Sequence, residues 1–284
     1  KIVRKSHHGL LPRYKMANKV AVGAAVGIAL LVLQHYGLYN TRLIFPFFKR
    51  LIPDLGYAYP LFAIFVLVAW PNAVNLTDGL DGLAAGSSTF CFACLAIIGY
   101  WQYRHFAIYH VADALDLALA AVALAGACLG FLRHNFNPAR IFMGDGGSYF
   151  LGFALAAISI VGPAKGLTSV SLLLPLLILS LPLADMSAVI MGRLSQGRSP
   201  FYPDRRHLHH RLLRVGFSHR RTVVLIYAFT QWLVALALVL ADAEMRFLWL
   251  ALATAVLIGV VIACRRSLSR EQERQGELGA ADPQ

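Results

Sequence analysis

The chain has 284 residues, of which 58% are hydrophobic and only 14% charged, and its mean hydropathy is +0.62. Soluble domains usually carry about 25% charged residues, so this composition argues against an ordinary water-soluble protein and predicts one built for a lipid bilayer. The formal net charge of +12 would suit nucleic-acid binding, but in a membrane protein an excess of Lys and Arg marks cytoplasmic loops, so no nucleic-acid partner is predicted.

Eight apolar segments approach the length of roughly 20 residues that a helix needs to cross a bilayer core. Within lipid they must be helical, because each backbone amide has to be satisfied inside its own segment. The sequence therefore predicts an all-α integral membrane protein whose polytopic bundle occupies residues 1–264, followed by a polar cytoplasmic tail, 265–284, expected to be disordered. The predicted spans are 19–38, 57–74, 84–101, 112–132, 147–164, 168–192, 222–241 and 246–264.

The distribution of positive charge predicts the orientation of this bundle. With eight spans, both chain ends lie on one side of the membrane; that side carries twenty Lys and Arg residues and the other carries six. Because cytoplasmic loops carry the excess of Lys and Arg, both ends are predicted to be cytoplasmic. Most chemically capable side chains then share the cytoplasmic face, in the connections 1–18, 75–83, 133–146 and 193–221.

The first polar motif, NAVNLTDGLDGL, ends the second span at residues 72–83. Residues three apart lie near one another at a helix end, so Asn75, Asp78 and Asp81 are predicted to line one side of it. Carboxylates at a membrane edge suit a proton acceptor or Mg²⁺, which prefers oxygen ligands and binds together with substrate phosphates. The alternative is a turn closed by aspartate side chains. The regular spacing of four polar residues favours the functional interpretation; they are Asn72, Asn75, Asp78 and Asp81.

The second motif, FNPARIFMGDGGSYFLG, precedes the fifth span at residues 136–152. Its Asp145 lies between glycines at a predicted helix start, where backbone N–H groups favour anions. Such an entry suits a metal-bridged phosphate. An N-cap aspartate without a ligand explains the same residues equally well.

The third motif, DRRHLHHRLLRVGFSHRR, occupies residues 204–221. Its arginines can neutralise phosphates, and its histidines can donate protons near neutral pH. The histidine spacing matches no common zinc pattern. Arginines that only enforce topology remain an alternative, but they leave the histidine cluster unexplained.

Asp185 lies inside the predicted span 168–192, where a charge is costly and usually functional. It is about two turns from Arg193, so a position lining the site fits. A structural hydrogen bond between helices is the competing interpretation.

Together, NAVNLTDGLDGLA, FNPARIFMGDGGSYFLG and PDRRHLHHRLL resemble the motifs of the polyprenyl-phosphate N-acetylhexosamine-1-phosphate transferase superfamily. The resemblance covers residues 1 to about 264. It implies an enzyme of the bacterial inner membrane that uses Mg²⁺, with Mn²⁺ as an alternative, to transfer a sugar 1-phosphate from a UDP-sugar to polyprenyl (undecaprenyl) phosphate, releasing UMP. It also implies an active site on the cytoplasmic face and a homodimer.

Two branches of that superfamily compete. The N-terminal stretches KIVRKSHHGLLPRYK and FPFFKRLIPDLG look like phospho-N-acetylmuramoyl-pentapeptide transferase, which acts in peptidoglycan synthesis. The histidine stretch is instead similar to the branch that uses UDP-N-acetylhexosamine and initiates other cell-envelope glycans. We favour the second branch, because the histidine loop is expected near the sugar.

Carried over position by position, the resemblance implies a role for each motif residue. Asp145 would be the leading Mg²⁺ ligand, with Asp78 beside it and Asp81 lining the same phosphate site. His209 and His210 match the essential histidines of the family and complete the predicted catalytic set. The predicted substrate-binding set comprises Asn75 and Asn135 as hydrogen-bonding groups, Phe142 against uracil, His207, Asp185, and the N-terminal basic residues, Arg13 among them, near the phosphates.

The chain also departs from the family pattern. Members carry an adjacent aspartate pair just ahead of the basic stretch with which this chain begins, so two or three upstream helices and that pair are expected to be missing. This leaves a non-catalytic binder of the lipid carrier as an alternative. A cation transporter is a further alternative, which predicts acids near mid-span rather than at the cytoplasmic ends.

Overall fold

The structure is a computed structural model that describes residues 12–39, 41, 54–109, 113–161, 180–197, 208–240 and 245–280. The regular elements of this part of the chain are helical, which confirms the all-α prediction. Besides one 3₁₀ turn, Gly56–Ala58, they are α1 Pro12–His35, α2 Tyr59–Thr77, α3 Leu83–Arg104, α4 Phe106–Tyr109, α5 Ala114–Asn135, α6 Gly144–Val161, α7 Ser180–Leu194, α8 Leu208–Arg214, α9 His219–Leu240 and α10 Arg246–Ala280.

Seven of the described helices are long and apolar enough to cross a membrane. They correspond to seven of the eight predicted spans and confirm a polytopic bundle. The remaining prediction, 168–192, lies partly outside the described residues, and its described part is the 15-residue helix α7. The seven spans are Arg13–His35, Gly56–Thr77, Leu83–Arg104, Ala114–Asn135, Gly144–Val161, His219–Val239 and Arg246–Ser267.

The last helix continues as far as Ala280. Residues 265–280, part of the segment predicted to be a disordered tail, belong to this helix. Arg, Glu and Gln dominate the segment and rank among the better helix formers. The division into a membrane domain and a tail stays a prediction.

Glycines allow α1 and α2 to pack closely. A Cβ atom at Gly23 would lie 3.0 Å from Ile64 Cα, and one at Gly27 would lie 2.7 Å from Pro60 Cα. Small residues four apart permit such backbone approach in membranes, where packing rather than water exclusion joins helices. Any side chain at Gly27 would push the two helices apart.

The packing of α2 on α6 follows the same principle. A Cβ atom at Gly152 would lie 2.5 Å from Pro71 Cα, so the α6 backbone rests directly on the proline inside α2. Helices α1 and α6 begin, and α2 ends, at the same side of this three-helix group. Their polar terminal residues therefore meet there.

Burial differs sharply among the spans. Helix α3 is the central one, because 78% of the residues in its 18-residue apolar stretch are buried. The corresponding share is 11% in α10 and 17% in α1. The core around α3 includes the fully buried side chains of Phe92, Tyr59 and Leu155. The exposed apolar faces of α1 and α10 suit contact with lipid.

Candidate active site

The first and second polar motifs meet where α2 ends and α6 begins. The Lys15 ammonium of α1 forms an ion pair with the Asp145 carboxylate. Asn75 donates through Nδ2 to Ser148 Oγ at 2.8 Å and to Asp145 Oδ1 at 3.4 Å. The Asp145 side chain is still 57% exposed. Asp145 is therefore held by two neighbours while part of its carboxylate remains open to a ligand.

The Asp81 carboxylate binds the loop between α5 and α6. Its Oδ2 accepts hydrogen bonds from Asn137 Nδ2 and from the backbone N–H of Ala139, both at 3.1 Å. Hydrogen bonds to a carboxylate are stronger than neutral ones, so Asp81 fastens the loop between α5 and α6 to the turn before α3. Its predicted place lining the phosphate site stays a prediction.

Asp78 lies at the C-terminal end of α2 and is half-buried. Its burial, and the negative charges of Asp145 and Asp81, raise the pKa of the Asp78 carboxyl to about 6. Each of these causes disfavours a further negative charge. A cation bound at this place would relieve the same repulsion.

The described residues contain no group of three or more His, Cys, Asp or Glu side chains that could hold a metal by themselves. Mg²⁺ usually takes only one or two protein carboxylates and completes its shell with water and substrate phosphates. The oxygen donors of Asp145 and Asp78 fit that donor set. They would hold the ion together with a phosphate, not in a closed cage.

Asn135, the last residue of α5, is only 3% exposed. Its Oδ1 accepts the Gly82 N–H at 3.0 Å, and its Nδ2 donates to the Ile141 carbonyl at 2.8 Å. Asn135 thus braces the turn before α3 and the loop before α6. Its predicted hydrogen bond to substrate stays a prediction, and the contacts seen are with the protein backbone.

The third motif forms the short helix α8, which contains His209 and His210. The side chains of these two histidines, and His207 as a whole, lie outside the described residues. Asp185 Oδ1 accepts the Leu208 N–H at 2.7 Å, at the start of this helix. A carboxylate there satisfies a free amide and complements the helix dipole. The structure thus shows the bond between helices that was one of the two interpretations of Asp185; a contact with substrate stays a prediction.

A small apolar cluster joins the histidine helix to the first motif. Leu212 and Leu213 of α8 pack against buried residues that flank the aspartate turn. Arg220 Nε also donates to the Asn137 carbonyl at 2.9 Å, which links α9 to the second motif. All three motifs are therefore brought together. The buried members of the cluster are Leu80, Leu83, Val223 and Ile226.

Two lysines of α1 reach the site, although the prediction for the N-terminal basic residues singled out only Arg13. Besides Lys15, Lys19 donates to Asn72 Oδ1 and places its ammonium 3.7 Å from the centroid of the Tyr149 ring. Their spacing of four residues was the available signal, because such residues share a helix face. Arg13, the residue singled out from this stretch, is exposed with its guanidinium 5.0 Å from the Tyr14 ring.

Phe142 lies in the loop before α6 with 75% of its surface exposed. An exposed ring three residues before Asp145 in the chain is available for stacking on a flat ligand. Its contact with uracil stays a prediction.

Comparison with known proteins connects this geometry to a family. The profile of glycosyl transferase family 4 matches residues 9–163, which include the first two motifs. A probable undecaprenyl-phosphate N-acetylglucosaminyl 1-phosphate transferase of Bacillus subtilis is 37% identical over 216 residues, covering 76% of this chain and 57% of the relative. A decaprenyl-phosphate N-acetylglucosaminephosphotransferase of Mycobacterium leprae is 44% identical over 180 residues, with 59% and 44% covered.

A phospho-N-acetylmuramoyl-pentapeptide-transferase of Streptomyces griseus is 41% identical over 191 residues, covering 60% of this chain and 51% of the relative. The chain thus spans about half the length of the curated relatives it matches. Because the family profile covers more than half of the chain, the resemblance drawn from the motifs is confirmed: the chain belongs to glycosyl transferase family 4.

Proposed function

We propose that the protein transfers an N-acetylhexosamine 1-phosphate from a UDP-sugar to polyprenyl phosphate, releases UMP and so initiates a cell-envelope glycan. The observation that carries this proposal is that Lys15, Asn75 and Asp145 meet at one end of three membrane-spanning helices. The negative charge of Asp145 also contributes to the raised pKa of Asp78. A water-soluble nucleotide and a lipid phosphate can meet at such a helix end. The names of the relatives support the same class of reaction.

In the proposed reaction an oxygen of the lipid phosphate attacks the β-phosphorus of the UDP-sugar. The bond from that phosphorus to the oxygen bridging the two phosphates breaks, and UMP departs with the electron pair. A phosphate monoester has its second pKa near 6 and is largely dianionic at neutral pH, so the attacking group needs no strong base. A route through an aspartyl-phosphate is the alternative.

The residues of the chain then position the phosphates and balance their charge, which dominates phosphoryl transfer. Mg²⁺, or Mn²⁺ in its place, would be held by Asp145 and Asp78 and would offset charge on the pyrophosphate. Lys15 lies beside Asp145, where its ammonium can also contact phosphate oxygens. Asn75 keeps the carboxylate in place, and Asp81 holds the loop that carries Phe142.

The donor sugar defines two candidate functions within this proposal. The relatives include enzymes named for N-acetylglucosamine transfer and others named for phospho-N-acetylmuramoyl-pentapeptide transfer, at similar identity. We favour UDP-N-acetylhexosamine because the third motif reads PDRRHLHHRLL, the form similar to that branch. His207, His209 and His210 would lie near the sugar.

The location of the site follows from the charge asymmetry. The Asp145 end of the bundle is on the side that carries most of the Lys and Arg residues, so we place it on the cytoplasmic face of a bacterial inner membrane. We also propose a homodimer, for which the family resemblance is the support.

The test is an assay of the complete reading frame in detergent or vesicles with polyprenyl phosphate, Mg²⁺ and a panel of UDP-sugars, following UMP release. We expect UMP release with a UDP-N-acetylhexosamine, its loss with a chelator, and its return with Mg²⁺ or Mn²⁺. Release only with UDP-N-acetylmuramoyl-pentapeptide would select the second candidate. Binding of polyprenyl phosphate without UMP release from any donor would overturn the enzyme proposal in favour of a lipid binder.

A further inference from the structure

The peptide groups of Gly82 are held by side chains from two other helices. The Gly82 N–H donates to Asn135 Oδ1 of α5 at 3.0 Å, and the Gly82 carbonyl accepts the hydroxyl proton of Tyr227 from α9. Gly82 directly follows Asp81 and directly precedes α3. The turn that carries the aspartates is thus anchored from two directions.

The conformation of Gly82 explains why anchoring matters. Its φ is +82°, in the left-handed region that favours glycine, and no side chain of its own caps α3. A glycine has many competing conformations. The two external hydrogen bonds select one of them together with the first bond of α3, in which the Gly86 N–H donates to the Gly82 carbonyl at 2.9 Å. That conformation fixes the direction in which the chain leaves Asp81 and enters α3.

Tyr227 reaches this turn through a slot made by Gly86. A Cβ atom at Gly86 would lie 2.0 Å from Tyr227 Oη and 2.1 Å from its Cζ, so only glycine leaves room for the ring. The ring is further held by an edge contact with Phe90, with centroids 5.8 Å apart. The hydroxyl is therefore aimed at the Gly82 carbonyl by packing on α3.

The consequence reaches the candidate site through Asp81. Its carboxylate holds Asn137 and Ala139, and so positions the loop that leads to Asp145. Tyr227 is adjacent to neither the ion pair nor the loop in sequence, and none of the three motifs contains it. No role for it was predicted.

We propose that Tyr227 is a positioning residue of the active site. Its hydroxyl, together with Asn135, fixes the Gly82 peptide, and thereby sets the Asp81 carboxylate and the 137–139 loop in the geometry that the transfer reaction needs. The catalytic consequence rests on the proposed function. The anchoring itself does not.

The first measurement is hydrogen–deuterium exchange of the full protein in detergent, comparing wild type with Tyr227→Phe. Loss of one hydrogen bond should speed local opening about fivefold in peptides covering 78–86 and 137–141, with exchange elsewhere unchanged. The matched control is Thr230→Val on the same helix. Within the part of the chain that the structure describes, its buried hydroxyl bonds to its own helix, donating to the Ile226 carbonyl at 2.9 Å, and removing it should leave both peptides unchanged.

The second measurement is UMP release by the same proteins, normalised to folded protein. We expect kcat to fall about tenfold in Tyr227→Phe and to stay within about twofold in Thr230→Val. Unchanged exchange at 78–86 would overturn the anchoring. Faster exchange throughout α3 and α9 would overturn the positioning role. Faster exchange confined to 78–86 and 137–141, with kcat unchanged, would also overturn it.

The two proposals fail in different ways. If wild type releases no UMP with any donor, the proposed transfer reaction fails, and exchange alone decides whether Tyr227 anchors the turn. If wild type is active and Tyr227→Phe matches it in both measurements, the transfer reaction stands and the inference about Tyr227 is wrong.

Discussion

Helices α1, α2 and α6 meet in polar clusters at both ends, and the two clusters differ in what they leave available. At the Tyr39 end, the Tyr39 and Tyr59 hydroxyl oxygens are 2.5 Å apart, and Tyr39 donates to the Ile160 carbonyl at 3.0 Å. Both tyrosines are nearly inaccessible, at 6% and 1% exposure. At the Asp145 end, the side chains of the ion pair with Lys15 are 33% and 57% exposed.

The difference shows how one helix packing supports two purposes. Burial raises the pKa of Tyr39, so its hydroxyl stays neutral and the cluster is closed on itself. A fully satisfied buried network stabilises one arrangement of its helices. The Asp145 end instead concentrates charges that remain partly open. The comparison therefore predicts that changes at one end alter activity and changes at the other alter stability.

The largest effect is expected from Asp145→Asn. Removing this charge breaks the ion pair with Lys15 and deletes the proposed leading metal ligand, so UMP release should fall at least about 100-fold with little change in thermal unfolding. The matched control is Asp116→Asn in the first turn of α5, an exposed aspartate at the other end of the bundle, which should leave UMP release unchanged. Wild-type activity in Asp145→Asn would remove the main support for the proposed site.

Gly152→Ala tests the packing that both ends share. Its Cβ atom would lie 2.5 Å from Pro71 Cα and 2.8 Å from the Trp70 carbonyl oxygen, so the backbones of α2 and α6 must separate. Overpacking of this kind should lower the free energy of unfolding by about 2 kcal/mol, measured by thermal unfolding in detergent. Gly126→Ala, where nothing lies within 4 Å, is the control and should not destabilise. Equal stability of both variants would contradict the close α2–α6 contact.

Asn75→Leu should have the next largest effect. It removes the amide that reaches both Ser148 and Asp145, so the carboxylate loses one of its two holding groups. We expect UMP release to fall about tenfold, since one hydrogen bond to a charged group is lost. Thr77→Val, which removes a hydroxyl that bonds to the Ala73 carbonyl of the same helix, should have no effect. Equal losses in the two variants would point to general damage at the end of α2.

The smallest effect is expected from Tyr39→Phe. The change deletes the hydroxyl that joins Tyr59 to Ile160, and should lower stability by about 1 kcal/mol. UMP release should stay within about twofold of wild type. A larger loss of activity than of stability would mean that the Tyr39 end takes part in function, and the contrast between the two ends would not hold.

Sequence reasoning succeeded where one physical constraint acts on consecutive residues. The thickness of the bilayer fixes the length of each apolar run, which is why seven predicted spans agree with helices such as α3 and α5. The three polar motifs also indicated a functional site, since carboxylates, amides and histidines at the ends of membrane spans are usually functional.

The same reasoning could not assign partners within the site. Asp81 was predicted from its spacing, but its bonds to Asn137 and Ala139 cross more than 50 residues of chain. The distinction between Arg13 and Lys15 depends on which face of α1 turns toward α6. Neither follows from a local pattern, because both depend on how distant helices pack.

The amino-acid sequence by itself thus determined the membrane class, the spans and the chemical character of the three motifs, because hydrophobicity and charge act residue by residue. Only the tertiary structure decided that Lys15 pairs with Asp145, that Asp185 caps the histidine helix, and that Tyr227 reaches Gly82. Gly27 and Gly152 let α1, α2 and α6 approach to backbone distance around the ion pair, and Gly86 leaves room for the Tyr227 ring. The close packing of the helices brings the three motifs together in one site, which no single motif could indicate.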